Sequence, residues 1–412
     1  MATSIETVTL GGVKVPLIYE LDNRLPIVSM QVVFENSGHV EDGNISGLAR
    51  MSSKLLNEGT KKLGSSAFAQ QLEQKAIHLS VHTGTETMVI ELSMLKEQMS
   101  EGVKMLAMLL QDPNDTPKIL EKIRTTTIGN LKRKANDYDY VAASELRRLQ
   151  FENSALQYPA EGTLESIEKI TLDDVKNFLK TRLVKQRVIM VIGGDVTLEE
   201  AKGALKEVVS VLPDGEKGTL QHIKVLDKAR ESMLKRPSEQ AYVYFGSPYN
   251  MSVNDPDEYK ARVATYILGT GGFGSRLMEE IRVKRGLAYS AYARVSISAS
   301  HSLFSGYLQT KNESLKEAQQ TVKEVIATFV KNGVTQEELD QAKKFLTGSE
   351  PLRVETLSQR LSRTFMEYYK GQSVGSAQKE LDAINALTLN DLNTFIKKHD
   401  EILELSFAIV TQ

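Results

Sequence analysis

A chain of 412 residues exceeds what one hydrophobic core usually organises, so two domains, or two pairs of half-domains, are the starting expectation. Hydrophobic residues at 41% and charged residues at 25% exclude a disordered chain, and a formal net charge of -2 gives no reason to expect nucleic acid or an anionic membrane as partner. The absence of cysteine excludes disulfides, thiolate metal sites and a cysteine nucleophile together.

The opening MATSIETVTL has no basic region leading into an apolar core, and apolar stretches such as residues 188–192 are too short to span a bilayer. The expectation is a soluble chain without a membrane span, its compartment unassigned between a bacterial-type cytoplasm and, if a signal peptide was removed, the periplasm. The first informative segment, SGLARMSSKLLNEGT from Ser46, places Leu48, Met51, Leu55 and Leu56 at helical spacing. Ser46 is the predicted N-cap, and Gly59 lies just past the predicted end. The strand-like AIHLSVHTG follows, with His78 and His82 on one face at roughly 13 Å, too far apart to share one ion. His39, His222, His301 and His399 lie in separate segments, where isolated histidines need no ligand role. Alternation over residues 87–95 predicts a strand, and Met99, Val103, Leu106 and Leu110 predict a helix over residues 97–110.

The middle and end of the chain echo each other. TLDDVKNFLK from Thr171 and VIMVIGG from Val188 recur as TLNDLNTFIK from Thr388 and LSFAIV from Leu405, both at an offset of 217 (388 − 171 and 405 − 188). A shared cap, helix and strand at one long offset points to a duplicated domain rather than to a solenoid. Strands and helices alternate without a long parallel βαβ series. The fold class is therefore α+β, with two homologous domains, each a mainly antiparallel sheet with helices packed on one side. The turn-rich PDGEKG from Pro213, followed by a charged stretch, sets the division as residues 1–212, a linker over 213–240, and residues 241–412.

In the second half, LGTGGFGSRLMEEIRVKRGLAYSAYA from Leu268 combines four glycines with a helical run and a strand start. A phosphate-binding loop is the bland alternative, but no GK[ST] ending follows. Strands over 289–298 and 302–308 and a helix over 313–329 with Val322, Val325, Ile326 and Phe329 complete the pattern.

Two segments carry a resemblance to one family. The frame around Gly47 resembles GLAHxxEHxxxxGT, and Gly271 to Tyr289 resembles the Gly-rich loop, SRL helix and RxxxxxxY element of the insulinase and processing-peptidase metallopeptidases, a match running from about Ile18 to Val410. In that family two histidines bind zinc and a glutamate activates water. Here Arg50, Ser53 and Lys54 occupy those places, and Asn130 occupies the best-matching place of the third ligand. Two cations at ligand positions repel a divalent ion, so no metal site is expected in this chain. The resemblance implies that Arg282 and Tyr289 contact substrate near the scissile bond. Ion pairs to Glu279 or Glu280 and a packed tyrosine are the structural alternatives, while Arg276 and Arg285 are expected on a solvated face or in ion pairs within their helix. The implied assembly is a heterodimer with a homologous subunit that supplies H-x-x-E-H and zinc, acting on unfolded peptides in a closed chamber. The alternative is a catalytically inactive structural or peptide-binding homologue.

Overall fold

A computed structural model describes residues 3–412. Among them, β1 (Ser4–Leu10), β2 (Val13–Leu21), β3 (Ile27–Phe34), β4 (His78–Thr83), β5 (Met88–Leu95) and β6 (Val188–Gly194) form one sheet in the order β1-β2-β6-β3-β5-β4. A second sheet, ordered β7-β11-β8-β10-β9, contains β7 (Glu231–Lys235), β8 (Gln240–Pro248), β9 (Ala288–Ile297), β10 (Ser302–Lys311) and β11 (Ser406–Thr411). Apart from β1 the two orders correspond strand for strand, and in each only one pair runs parallel, β2 with β6 and β7 with β11. The helices Leu172–Arg182 and Leu389–Lys398 begin 217 residues apart (389 − 172), each with a threonine hydroxyl accepting an N–H bond from the third residue on. The chain is thus an α+β protein built from two copies of one unit.

Part of the expected 213–240 linker is structural. Glu231–Lys235 is β7, the counterpart of β2, with alternating exposed and half-buried residues, and Gln240 already begins β8. As an edge strand it carries charge at both ends, Glu231 and Lys235, which hides it among charged loop residues.

The chain divides into two compact units, one of residues 1–132, 158–220 and 353–369, the other of residues 133–157, 221–352 and 370–412. Each therefore takes a helix from the opposite half of the sequence. In the first unit Leu17, Val32, Phe34, Met190 and Ile192 pack against helical Leu55, Leu106, Val175 and Leu205. The alternate residues Ile18, Val33, Ile189 and Val191 face the other way and meet Leu361, Leu357 and Phe365 of the helix Leu357–Tyr369. In the second unit Phe245, Phe407 and Ile409 join Val322, Ile326 and Phe395, whereas Tyr244 and Ala408 meet Leu146 and Leu149 of the helix Tyr138–Gln150. Helices cover one face as expected, and one further helix covers the central strands on the other. Coverage on both faces is why β6 and β11 are buried along their whole length and read as unbroken apolar runs.

Candidate functional site

The motif helix of the first unit, Leu48–Leu56, buries Leu48, Met51, Leu55 and Leu56 as their spacing predicts. Its cap differs from the expectation. Gly47 is the N-cap, in a left-handed conformation at φ 90°, and Ser46 instead donates to the Ser166 hydroxyl at 3.0 Å. The orphan N–H groups of the first turn go to Asp42, whose carboxylate accepts from Gly47 at 2.8 Å and Ala49 at 2.7 Å.

Burial pushes the Asp42 carboxyl up to about 7, against the pull of those two N–H groups. Because the folded-state value lies above the unfolded one, the native state binds this proton more tightly between them. The associated stability is complete below about pH 4 and is lost as pH rises through 7. Urea unfolding between these limits should show a fall of a few kcal/mol from this group, and Asp42→Asn should flatten it. An unchanged slope in the variant would remove Asp42 as the source.

The four degenerate positions are engaged in structural contacts. Arg50 donates to the Thr83 carbonyl at 3.3 Å, and the Ser53 hydroxyl to the Arg50 carbonyl at 2.9 Å. Lys54 donates to the Thr127 hydroxyl at 2.7 Å, and Asn130 lies one turn further along that helix, Pro117–Lys134. Two cations, a hydroxyl and an amide do not fit a divalent ion, and among the described residues no group of three or more histidine, aspartate or glutamate side chains is arranged to hold one. Dialysis against micromolar zinc should leave no stoichiometric metal on this chain. One tightly bound zinc per chain would contradict that reading.

In the second unit close packing accounts for two glycines of the Gly-rich stretch, Gly269 and Gly271, while Gly272 and Gly274 face open space. A side chain at Gly269 would place its Cβ 2.5 Å from both the nitrogen and the oxygen of Ala293 in β9. That glycine allows the segment Tyr266–Thr270 to press on the sheet edge, which gives it a purpose unrelated to phosphate. Next comes a short helix, Arg276–Met278, continuing as a wider π-type turn over Glu279–Lys284. Arg276 does not pair within this helix. Its guanidinium forms a bidentate bridge at 2.6 and 2.7 Å with Glu338, on the helix Gln336–Gly348. Arg285 approaches Glu280 at 3.8 Å and donates to the Thr321 hydroxyl at 3.4 Å.

Arg282 follows neither structural alternative. Lys284 holds Glu280 at 2.7 Å, and among the described residues Arg282 makes no ion pair or hydrogen bond. Its guanidinium carbon lies 4.3 Å from the Tyr289 ring centre and 4.6 Å from that of Phe273, so the cation is in contact with two aromatic rings. Tyr289 is 81% exposed and Phe273 64%, which rules out a packed tyrosine.

Two backbone features create this cluster. Gly286, at φ 62°, ends the helix, with its N–H donating to the Arg282 carbonyl at 3.1 Å, and turns the chain into β9. In β9, Ala291 pairs with Leu308 and Ala288 with Thr310, so Tyr289 and Ser290 together face the single residue Gln309. This β-bulge takes Tyr289 out of the regular alternation and re-aims its ring at Arg282. The outcome is a cation with five unused N–H donors beside a phenolic hydroxyl, on one exposed surface. Such a pair suits a carbonyl oxygen or a carboxylate.

Reading the sequence missed Phe273, Asp42 and the bulge. A large aromatic flanked by glycines, far from any apolar periodicity, was the available signal for Phe273.

Comparison with known proteins places the chain's sequence and fold beside a set of relatives. Residues 18–164 match a family profile described as insulinase (peptidase family M16), and residues 169–346 one described as the peptidase M16 inactive domain. The chain is 42% identical over 410 residues to the non-peptidase homolog YmxG of Helicobacter pylori, covering 100% of the chain and 95% of that relative. It is 22% identical over 398 residues to an uncharacterized zinc protease YmxG of Bacillus subtilis, covering 95% of each. Among solved structures it resembles a peptidase M16 inactive domain from Pseudomonas fluorescens, with a TM-score of 0.90 and 24% identity over 99% of the chain and 98% of that structure. A Helicobacter pylori protease gives a TM-score of 0.84 at 17% identity, with 100% of both chains covered.

Proposed function

The chain belongs to peptidase family M16 and lacks its zinc motif, and from that premise we propose that it is the non-zinc subunit of a two-subunit metallopeptidase. The partner is a homologous chain that carries H-x-x-E-H, the zinc ion and the water-activating glutamate. This chain contributes Arg282 and Tyr289, which bind an unfolded peptide near its scissile bond inside a closed chamber and stabilise the oxyanion that forms there.

The observation that carries the reading is the state of Arg282. A half-buried guanidinium without an anion partner, lying over the exposed rings of Phe273 and Tyr289, keeps its donors available to a ligand at the surface. The stack orients the fork while leaving its edge open, as recognition of a carbonyl or carboxylate requires. Native mass spectrometry of this chain mixed with a zinc-bearing homologue from the same organism should give a 1:1 complex. Two separate species at micromolar concentration would count against the assembly.

A second reading, a peptide-binding homologue without any catalytic role, is favoured by the description of the Helicobacter pylori relative as a non-peptidase homolog. It shares the Arg282 and Tyr289 site and differs in one result, peptide binding with no turnover on adding the partner.

A further inference from the structure

An edge strand exposes a row of unpaired N–H and C=O groups that another chain can add to, unless the protein covers them. In the first sheet that edge is β4, and several outward-facing backbone groups of its C-terminal half, at Val81 and Thr83, meet side chains of this chain. Val81 donates its N–H to the Asn57 side-chain oxygen at 2.8 Å and accepts from the Asn57 amide nitrogen at 2.6 Å. The Thr83 carbonyl accepts from Arg50 at 3.3 Å. Beyond the strand, the carbonyls of Gly84, Thr85 and Glu86 accept backbone N–H bonds from His39, Val40 and Ser37 at 3.1, 3.0 and 3.0 Å.

The Asn57 contact has the form of a strand pair. A side-chain amide offers one donor and one acceptor in the geometry of a peptide group, and with Val81 it exchanges both bonds, as two residues of an antiparallel ladder do. Asn57 is held for this task, since it ends the helix Leu48–Leu56 and its nitrogen also donates to the Ser53 carbonyl at 3.0 Å. Arg50, two turns earlier on the same helix, covers the next outward carbonyl.

We propose that the motif helix of the first unit is an intramolecular cap on β4, with Asn57 and Arg50 occupying the hydrogen-bonding positions that an added peptide strand would need. The altered motif then has a definite role. It closes the first sheet to β-strand addition and leaves peptide capture to the Arg282 and Tyr289 site of the second unit. At the equivalent edge there, β9, the Ala291 N–H points to the Met278 sulfur at 3.3 Å, a poorer acceptor than the amide oxygen that Val81 meets. The closure of β4 stands on its own contacts and does not require the two-subunit assembly.

The test is hydrogen exchange across residues 78–86, with and without a fluorescent, unstructured, proline-free peptide whose binding is followed by anisotropy. In the wild-type chain the peptide should add no protection to this segment. In N57A and in the double variant R50A/N57A, the Val81 amide should exchange about tenfold faster without peptide, and peptide-dependent protection should then appear along β4. Peptide-dependent protection of residues 78–86 in the wild type would overturn the proposal. So would a released Val81 amide with no gain in peptide protection. The wild-type measurement decides by itself if the variants fail to fold.

Discussion

If this chain and a zinc-bearing homologue together form the proposed peptidase, replacing Tyr289 by phenylalanine should lower the rate of peptide hydrolysis by the mixture by about 10²–10³, with a much smaller change in KM. The phenolic hydroxyl is the only polar group the substitution removes. Its ring continues to stack on Arg282, 4.3 Å from the guanidinium, so the architecture of the site is kept. A donor that meets the carbonyl oxygen only as negative charge develops there acts on kcat rather than on ground-state binding. Stability should not change, because the side chain is 81% exposed and the bulge that presents it is set by the backbone pairing of β9 and β10. A Tyr289→Phe complex with wild-type kcat would take the oxyanion role away from this residue.

The second large effect is expected at Arg282, and it separates shape from charge. Lysine keeps the charge but loses the planar fork and its contact with the Phe273 and Tyr289 rings. If the site works by orienting a guanidinium, Arg282→Lys should cost about 10- to 100-fold in kcat/KM, the value of a charge-assisted hydrogen bond, and approach Arg282→Ala. A lysine variant close to wild type would show that any nearby positive charge suffices. Because Arg282 and Tyr289 touch, their single effects should not add in the double variant.

The readable parts of this molecule were those in which local chemistry and tertiary structure agree. The duplication showed through Thr171 and Thr388, because a cap bond and an apolar helix face are local and survive divergence. Leu48, Met51, Leu55 and Leu56 declared the motif helix for the same reason. The cap of that helix was less legible. Ser46 is a good capping residue by type, yet Gly47 enters with positive φ and the carboxylate comes from Asp42, on a turn folded back over the helix start. Strand β7 was hidden by the charges an edge tolerates. The helix exchange between the two halves depends on which sheet face remains open, a non-local fact. Even so, the unbroken apolar runs of β6 and β11 imply cover on both faces. At the candidate site, Arg282 and Tyr289 were found through the motif they belong to. What makes them a unit, the bulge at Tyr289 and Ser290 and the second ring from Phe273, depends on strand register and loop geometry that no residue type specifies.

The proposed role is completion of an active site whose zinc lies in another subunit. It is tested most directly by peptidase activity of this chain, of a zinc-bearing family member from the same organism, and of an equimolar mixture, on one fluorogenic unstructured peptide. Hydrolysis by the mixture should lie well above the sum of the separate chains, be abolished by a chelator and be restored by zinc. Activity of the mixture equal to that sum would contradict it.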